Sequence, residues 1–304
     1  MSRGQVAVLG AGSQIGVFLV PRLLAQGFGV LAVRRGARPA GYPDFEQLRW
    51  QDAEALDDAM LSDAQMLVST GPISLAARLV PRSRNLQRAV VFSTSSVYSK
   101  FASPDPAEQA QIRHIVKQES ELGAVCAARG IDLCLLRPTL IYGCGMDGTI
   151  SWLARWIRRF GFIPVAGAAA GLRQPVHADD LAMAAVAALV SPDPLGLEVP
   201  LCGGSTLSFR DMVVRIFTGL GRPVRILSVP PGLFAAVTRL GRMIPGLGGV
   251  RPEMVRRQAL DLVFDDARAR AVLAYRPRPF EPGPAEFELP GAERLRRLAG
   301  LADA

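Results

Sequence analysis

The first half of the chain alternates short apolar runs with longer amphipathic ones. Residues 5–9 (QVAVL), 29–35 (GVLAVRR), 64–70 (AQMLVST) and 89–98 (AVVFSTSSVY) are of strand length and rich in β-branched residues. Such runs read as strands covered on both faces. Between them, residues 17–27 (VFLVPRLLAQG) and 53–60 (AEALDDAM) carry a helical pattern, the second with Asp52 placed at its N-cap. Apolar strands alternating with helices predict an α/β fold with a mostly parallel, doubly wound sheet. Ligands of such sheets bind beyond the carboxyl ends of the strands, which is where VSTGP (68–72) and FSTSSVY (92–98) fall.

Further along, Trp152, Trp156 and Phe160 recur at fourfold spacing, as on one face of a helix. They read as a packed face, or as one wall of a pocket. DLAMAAVAAL (180–189) predicts a helix with Asp179 as its cap and Asp180 in its first turn. Residues 228–250 are apolar but carry Arg239 and Arg242; this reads as a helix packed on the second half of the chain, or as a lid or membrane-surface helix. GAERLRRLAG (291–300) reads as a short charged helix.

Composition narrows the function classes. With 49% apolar residues in 304, the chain can bury a core without staples. The four cysteines (Cys126, Cys134, Cys144, Cys202) form no CxxC pair, so neither a zinc module nor a disulfide framework is expected, and a reduced, cytoplasmic setting is. The first predicted strand begins at Gln5, leaving no room for a signal peptide, and charge or proline interrupts every apolar stretch before 18 residues. The net charge of +8 comes from scattered arginines, which fits a phosphate-bearing small molecule better than nucleic acid. Two histidines without a carboxylate cluster suggest no metal site.

The sharpest motif is GAGSQIG (10–16), between the first strand and the first helix. Glycine lets the backbone turn tightly and approach a pyrophosphate, and the helix N-terminus beyond supplies free N–H groups. The expected cofactor contacts are Gly10, Gly12, Ser13, Gln14, Ile15 and Gly16, with Thr70 and Gly71 on a neighbouring strand end. Where an acidic residue would mark NAD, the second strand ends in Arg34 and Arg35, with Arg38 close by. Positive charge there suits a 2′-phosphate, so NADP(H) is expected, with NAD as the alternative.

Six segments in order carry a resemblance to a family: GAGSQIG (10–16), FSTSSVY (92–98), RPTLIYG (137–143), QPVHADDLAMA (174–184), LCGGSTLSFRDMVVRIFTGLGRP (201–223) and FDDARARAVLAYRPRPF (264–280). The chain resembles the extended short-chain dehydrogenase/reductases of the NAD-dependent epimerase/dehydratase group over nearly its whole length. The resemblance implies a Rossmann-like doubly wound parallel sheet with a smaller C-terminal substrate domain. The cofactor domain would take 1–165, with returning segments near 174–193 and 225, and the substrate domain mainly 166–304. It also implies an oxidoreductase, epimerase or dehydratase acting on a sugar-like or nucleotide-sugar substrate, and a homodimer. Pro138 is implied at the cofactor.

In that family a Ser/Thr, a tyrosine and a lysine do the chemistry. A hydride leaves a carbinol only as the hydroxyl proton departs, and a nearby ammonium favours the phenolate that takes it. Thr94 matches the Ser/Thr, with Ser95 beside it, and Lys117 followed by Glu121 matches the Lys-x-x-x-Glu helix. Four residues before Lys117, where the family has tyrosine, stands Arg113, which cannot exchange a proton at ordinary pH. Three readings stay open: Tyr98 or His114 substitutes; Arg113 binds an anionic substrate in chemistry that needs no tyrosine; or hydride transfer is lost and the chain is a dinucleotide-binding regulatory or assembly protein. The usual adenine-holding aspartate is replaced by Arg49, counting from a cap at Asp52. For the substrate, Tyr142 and Arg173 are candidates, the latter toward a phosphate; His177 reads as a loop organiser.

Overall fold

The computed structural model describes residues 3–36, 38–39, 41–101, 103–193, 195–196, 198–234 and 256–301. Its centre is a seven-stranded sheet, all parallel, in the order β11-β6-β5-β4-β1-β2-β3. These strands are β1 (Gln5–Leu9), β2 (Gly29–Arg34), β3 (Leu48–Asp52), β4 (Met66–Ser69), β5 (Arg88–Phe92), β6 (Asp132–Pro138) and β11 (Glu198–Leu201). On one face, α1 (Gly16–Ala25), α7 (Ala178–Val190), α9 (Ala267–Leu273) and α10 (Ala292–Leu298) bury a cluster with Phe18, Leu181 and Tyr275. On the other, α3 (Ile73–Leu79) and α5 (Pro106–Ala128) pack against Leu67, Val91 and Leu135. Burial on both faces is why the central strands β1, β2, β4 and β5 read as continuous apolar runs, while the edge strand β3 (LRWQD) does not. The fold is Rossmann-like.

A third cluster lies outside the sheet. It joins α6 (Ile150–Phe160), β8 (Ile163–Ala166) and α8 (Phe209–Gly219) with Tyr142, Phe280 and Phe287. So α6 and β8, inside the stretch expected to be cofactor domain, pack in the second unit. β13 (Ile226–Val229), near the expected return at 225, pairs with β8 and not with the central sheet. The chain does return to the sheet through α7, β11, α9 and α10. Short pairs stitch the two parts: β7 (Ile141–Tyr142) with β10 (Val176–His177), and β9 (Leu172–Arg173) with β12 (Leu207–Ser208).

Three local expectations are corrected. The run 89–98 is strand only to Phe92; Ser96–Ser99 form a one-turn helix, α4. The helix expected from Ala53 starts at Asp58 (α2, Asp58–Ser62), and its cap is Asp57, whose carboxylate accepts from Ala59 N–H. Asp52 closes β3 instead, accepting from Gly36 and Glu54 N–H at 2.9 and 2.8 Å. At α7, the cap is His177, whose Nδ1 accepts from Asp179 N–H at 3.0 Å. Asp179 is free for ion pairs with Arg22 of α1 and Arg278, while Asp180 binds Arg278. That network ties the glycine-loop helix to the C-terminal segment. The expected helix over 228–250, with Arg239 and Arg242, lies largely outside the described residues.

Candidate functional site

The loop after β1 is built by close backbone packing. Gly10 has φ +78°, and a Cβ on it would sit 2.6 Å from the Gly71 amide nitrogen. A Cβ on Gly16 would lie 2.6 Å from the carbonyl oxygens of both Gly10 and Ala11. Only glycine fits at either position. Gly12 differs: the three atoms nearest its Cβ position all belong to the Arg34 side chain, Nε closest at 3.3 Å. Arg34, at the end of β2, thus lies over the loop, whereas Arg35 is exposed. Ser13 donates to Thr70 Oγ1 at 2.9 Å and accepts from Gly16 N–H at 3.0 Å, and Thr70 donates to the Gly10 carbonyl at 2.8 Å. Ser13 and Thr70 therefore hold the loop's shape, and Ser13's hydroxyl is already committed. Ile15 is buried in the core, and Gln14 carries a buried Oε1 without a partner.

These residues fit a dinucleotide. Gly12 lets the Arg34 side chain lie against the loop, and α1 begins directly after it at Gly16. Among the described residues no group of three His, Cys, Asp or Glu could hold a metal.

Beyond the carboxyl ends of β5 and β6 lies a cleft of about 310 Å³. Thr94, Ser95 and Ser96 line its floor, Trp152, Trp156 and Phe209 its wall, and Lys100, Glu108 and Arg257 one end. Thr94 Oγ1 accepts from Ser96 N–H at 3.1 Å, which leaves its own hydrogen to donate. Ser95 donates its N–H to the carbonyl of Pro138, the last residue of β6. The charged end was missed in the sequence. Glu108 binds Arg257 and Ser103 and lies 3.6 Å from Lys100. Burial would raise its carboxyl, but the hydrogen bonds from Arg257 and Ser103 and the Lys100 charge bring it down to about 2.

Several expected site residues lie elsewhere. Lys117 points to solvent, 72% exposed, and its ammonium sits 3.7 Å from Glu121. Arg113 is exposed and donates to Gln109 of its own helix; His114 is exposed too. The inward-facing glutamate of α5 is Glu119, paired with Arg137 of β6 at 2.7 Å. Tyr98 is half-exposed; its hydroxyl accepts from Arg137 at 2.8 Å and its ring leans on Phe264. It is not among the residues that line the cleft. Tyr142 is 2% exposed, edge-on to His177 and Phe280 in the third cluster, so it packs the core and does not meet a substrate. Arg173 does line the cleft, yet three of its N–H groups go to the carbonyls of Leu172, Leu260 and Arg257. Burial lowers its pKa to about 10.

Residues 70–197 match the model of the NAD dependent epimerase/dehydratase family. An uncharacterized protein of Sinorhizobium fredii is 29% identical over 150 residues, 49% of this chain and 37% of that protein. One of Mycobacterium tuberculosis is 30% identical over 235 residues, 74% of this chain and 24% of that protein. The match thus spans well under half the length of these curated relatives. Among solved structures, UDP-glucuronic acid 4-epimerase of Bacillus cereus, with UDP-glucuronic acid and NAD, superposes with TM-score 0.69 at 15% identity over 97% of this chain and 99% of that one. UDP-N-acetylglucosamine 4-epimerase of Methanobrevibacter ruminantium, with UDP-N-acetylmuramic acid, gives 0.68 at 15% identity over 99% and 98%. At such identities the likeness is one of fold. The glycine loop, the serine-rich end of β5 and the Arg137 segment lie in order along that shared fold, and residues 70–197 are similar to the NAD dependent epimerase/dehydratase family.

Proposed function

We propose that the chain binds a nicotinamide dinucleotide over the Gly10–Gly16 loop, NADP(H) in preference to NAD(H), and carries out epimerase/dehydratase-type redox chemistry on a small molecule in the cleft. The observation that carries this reading is the Arg34 guanidinium lying against Gly12, its Nε 3.3 Å from where a Cβ on Gly12 would sit. A guanidinium at that point favours a 2′-phosphate. The bound nicotinamide would supply or accept a hydride. Thr94, with its hydrogen free to donate, would hold the substrate oxygen at the strand end.

A second reading rests on α5. If Glu119 is the glutamate of the Lys-x-x-x-Glu pattern, the lysine position falls on Ile115 and the tyrosine position on Gln111. Neither could move a proton, and the chain would then bind a dinucleotide without turning it over. Titration with NADPH and NADH, followed by nicotinamide fluorescence, tests the first part. The expected outcome is tighter NADPH binding, with the preference abolished or reversed in Arg34→Asp. No binding of either would overturn the proposal. Loss of the hydride from bound NADPH to a carbonyl compound would then decide against the second reading.

A further inference from the structure

The structure assigns the cleft an occupant that differs from a nucleotide sugar: we propose an amphipathic anion, an apolar ring or chain bearing one carboxylate. This rests on reading the cleft as the substrate site.

The wall is the first argument. Trp152 and Trp156 of α6 meet in a tilted pair with ring centroids 5.3 Å apart, and Phe209, Phe234 and Phe264 continue the same lining. Five aromatic rings around about 310 Å³ make a surface that gains by burying apolar area and gains little from a row of sugar hydroxyls.

The charges are the second. Among the described lining residues, Lys100, Arg173, Arg256 and Arg257 face a single carboxylate, Glu108, so the cleft is positive and favours an anion. Yet the buried cations are largely spent within the protein. Arg173 holds three carbonyls and lies 5.7 Å from the Phe209 ring centre. Arg257 is paired with Glu108. Arg256 is exposed at the edge. One carboxylate at that edge is matched; two phosphates buried within are not, and burying unmatched charge is unfavourable.

The test is calorimetric titration of the full chain with 4-phenylbutyrate and with UDP-glucuronic acid, each with and without saturating NADPH. NADPH binding itself is measured separately. The expected result is saturable binding of 4-phenylbutyrate and none of UDP-glucuronic acid over the same range. Trp156→Ala should weaken 4-phenylbutyrate about tenfold and Arg256→Gln at least about threefold, while Trp156→Phe stays within about threefold. A urea midpoint for each variant shows that it is folded. Tighter binding of UDP-glucuronic acid, no saturable binding of 4-phenylbutyrate, or an unchanged affinity in folded Trp156→Ala would each overturn the proposal. Failure of NADPH to bind while 4-phenylbutyrate binds overturns the dinucleotide reading and supports this one.

Discussion

Arg137 and Glu119 face each other inside the molecule, Nη2 to Oε2 at 2.7 Å and Nε to Oε1 at 3.3 Å, with side chains 5% and 6% exposed. The pair pins α5 against β6 and sets which face of the helix looks inward. Arg137 also reaches Glu198 and the Tyr98 hydroxyl, so one guanidinium joins α5, β11 and the serine-rich turn.

Removing one partner of a buried pair leaves the other charge uncompensated, which typically costs about 3–5 kcal/mol. Glu119→Ala should therefore destabilise the chain by about that much in urea unfolding. Glu198→Ala should cost far less, since Glu198 is 54% exposed.

Lys117 makes the converse case. Its ammonium is solvated and it pairs with Glu121 in an exposed i,i+4 contact. Lys117→Ala is expected to change stability by no more than about 0.5 kcal/mol and to leave NADPH affinity within about twofold. A large loss of NADPH binding in this variant would return Lys117 to the cofactor site.

The two glutamates explain what the sequence could convey. Glu119 and Glu121 both follow Lys117 within little more than a turn of α5, and the i,i+4 spacing of Lys117 and Glu121 makes theirs the better pair in sequence. Only the tertiary partner, Arg137, separates them. The four central strands β1, β2, β4 and β5 were legible because parallel strands buried on both faces are apolar throughout, whereas the edge strand β3 (LRWQD) has no fully buried residue and carries no such pattern. The strand ends were not: the serines after Phe92 are polar enough to turn the chain, but β-propensity runs on to Tyr98. Tyr142 reads as a ligand-facing aromatic until Phe280, far along the chain, packs on it. The charged end of the cleft joins Glu108 to Arg257 across 149 residues, a separation that no local pattern spans.

Gly16 offers a test of the loop. Its Cβ position is 2.6 Å from two backbone carbonyl oxygens, neither of which can rotate away. Gly16→Ala should destabilise by about 1–3 kcal/mol and weaken NADPH binding together, as α1 is pushed off the loop. Gly27→Ala, where a Cβ meets nothing but φ is +81°, should lower stability without touching NADPH affinity.

His177 predicts a pH dependence. It is 1% exposed between the Phe18 and Tyr142 rings, and its Nδ1 must stay unprotonated to accept from Asp179 N–H. Burial first, then the charges of Arg278, Arg294 and Arg22, lower its pKa to about 3; Asp179 opposes them. A pKa lower in the folded than in the unfolded chain means that the unfolded chain binds the proton first. The contribution is fully present above the unfolded value, near 6.5, and is lost as pH falls toward about 3. Between pH 7 and pH 5 this amounts to about 2 kcal/mol from one residue. His177→Asn keeps an acceptor for the Asp179 N–H but cannot titrate. Urea midpoints measured across that range should fall more steeply for the natural chain than for the variant. Parallel slopes would mean that His177 is not held neutral, and that α7 is capped by other means.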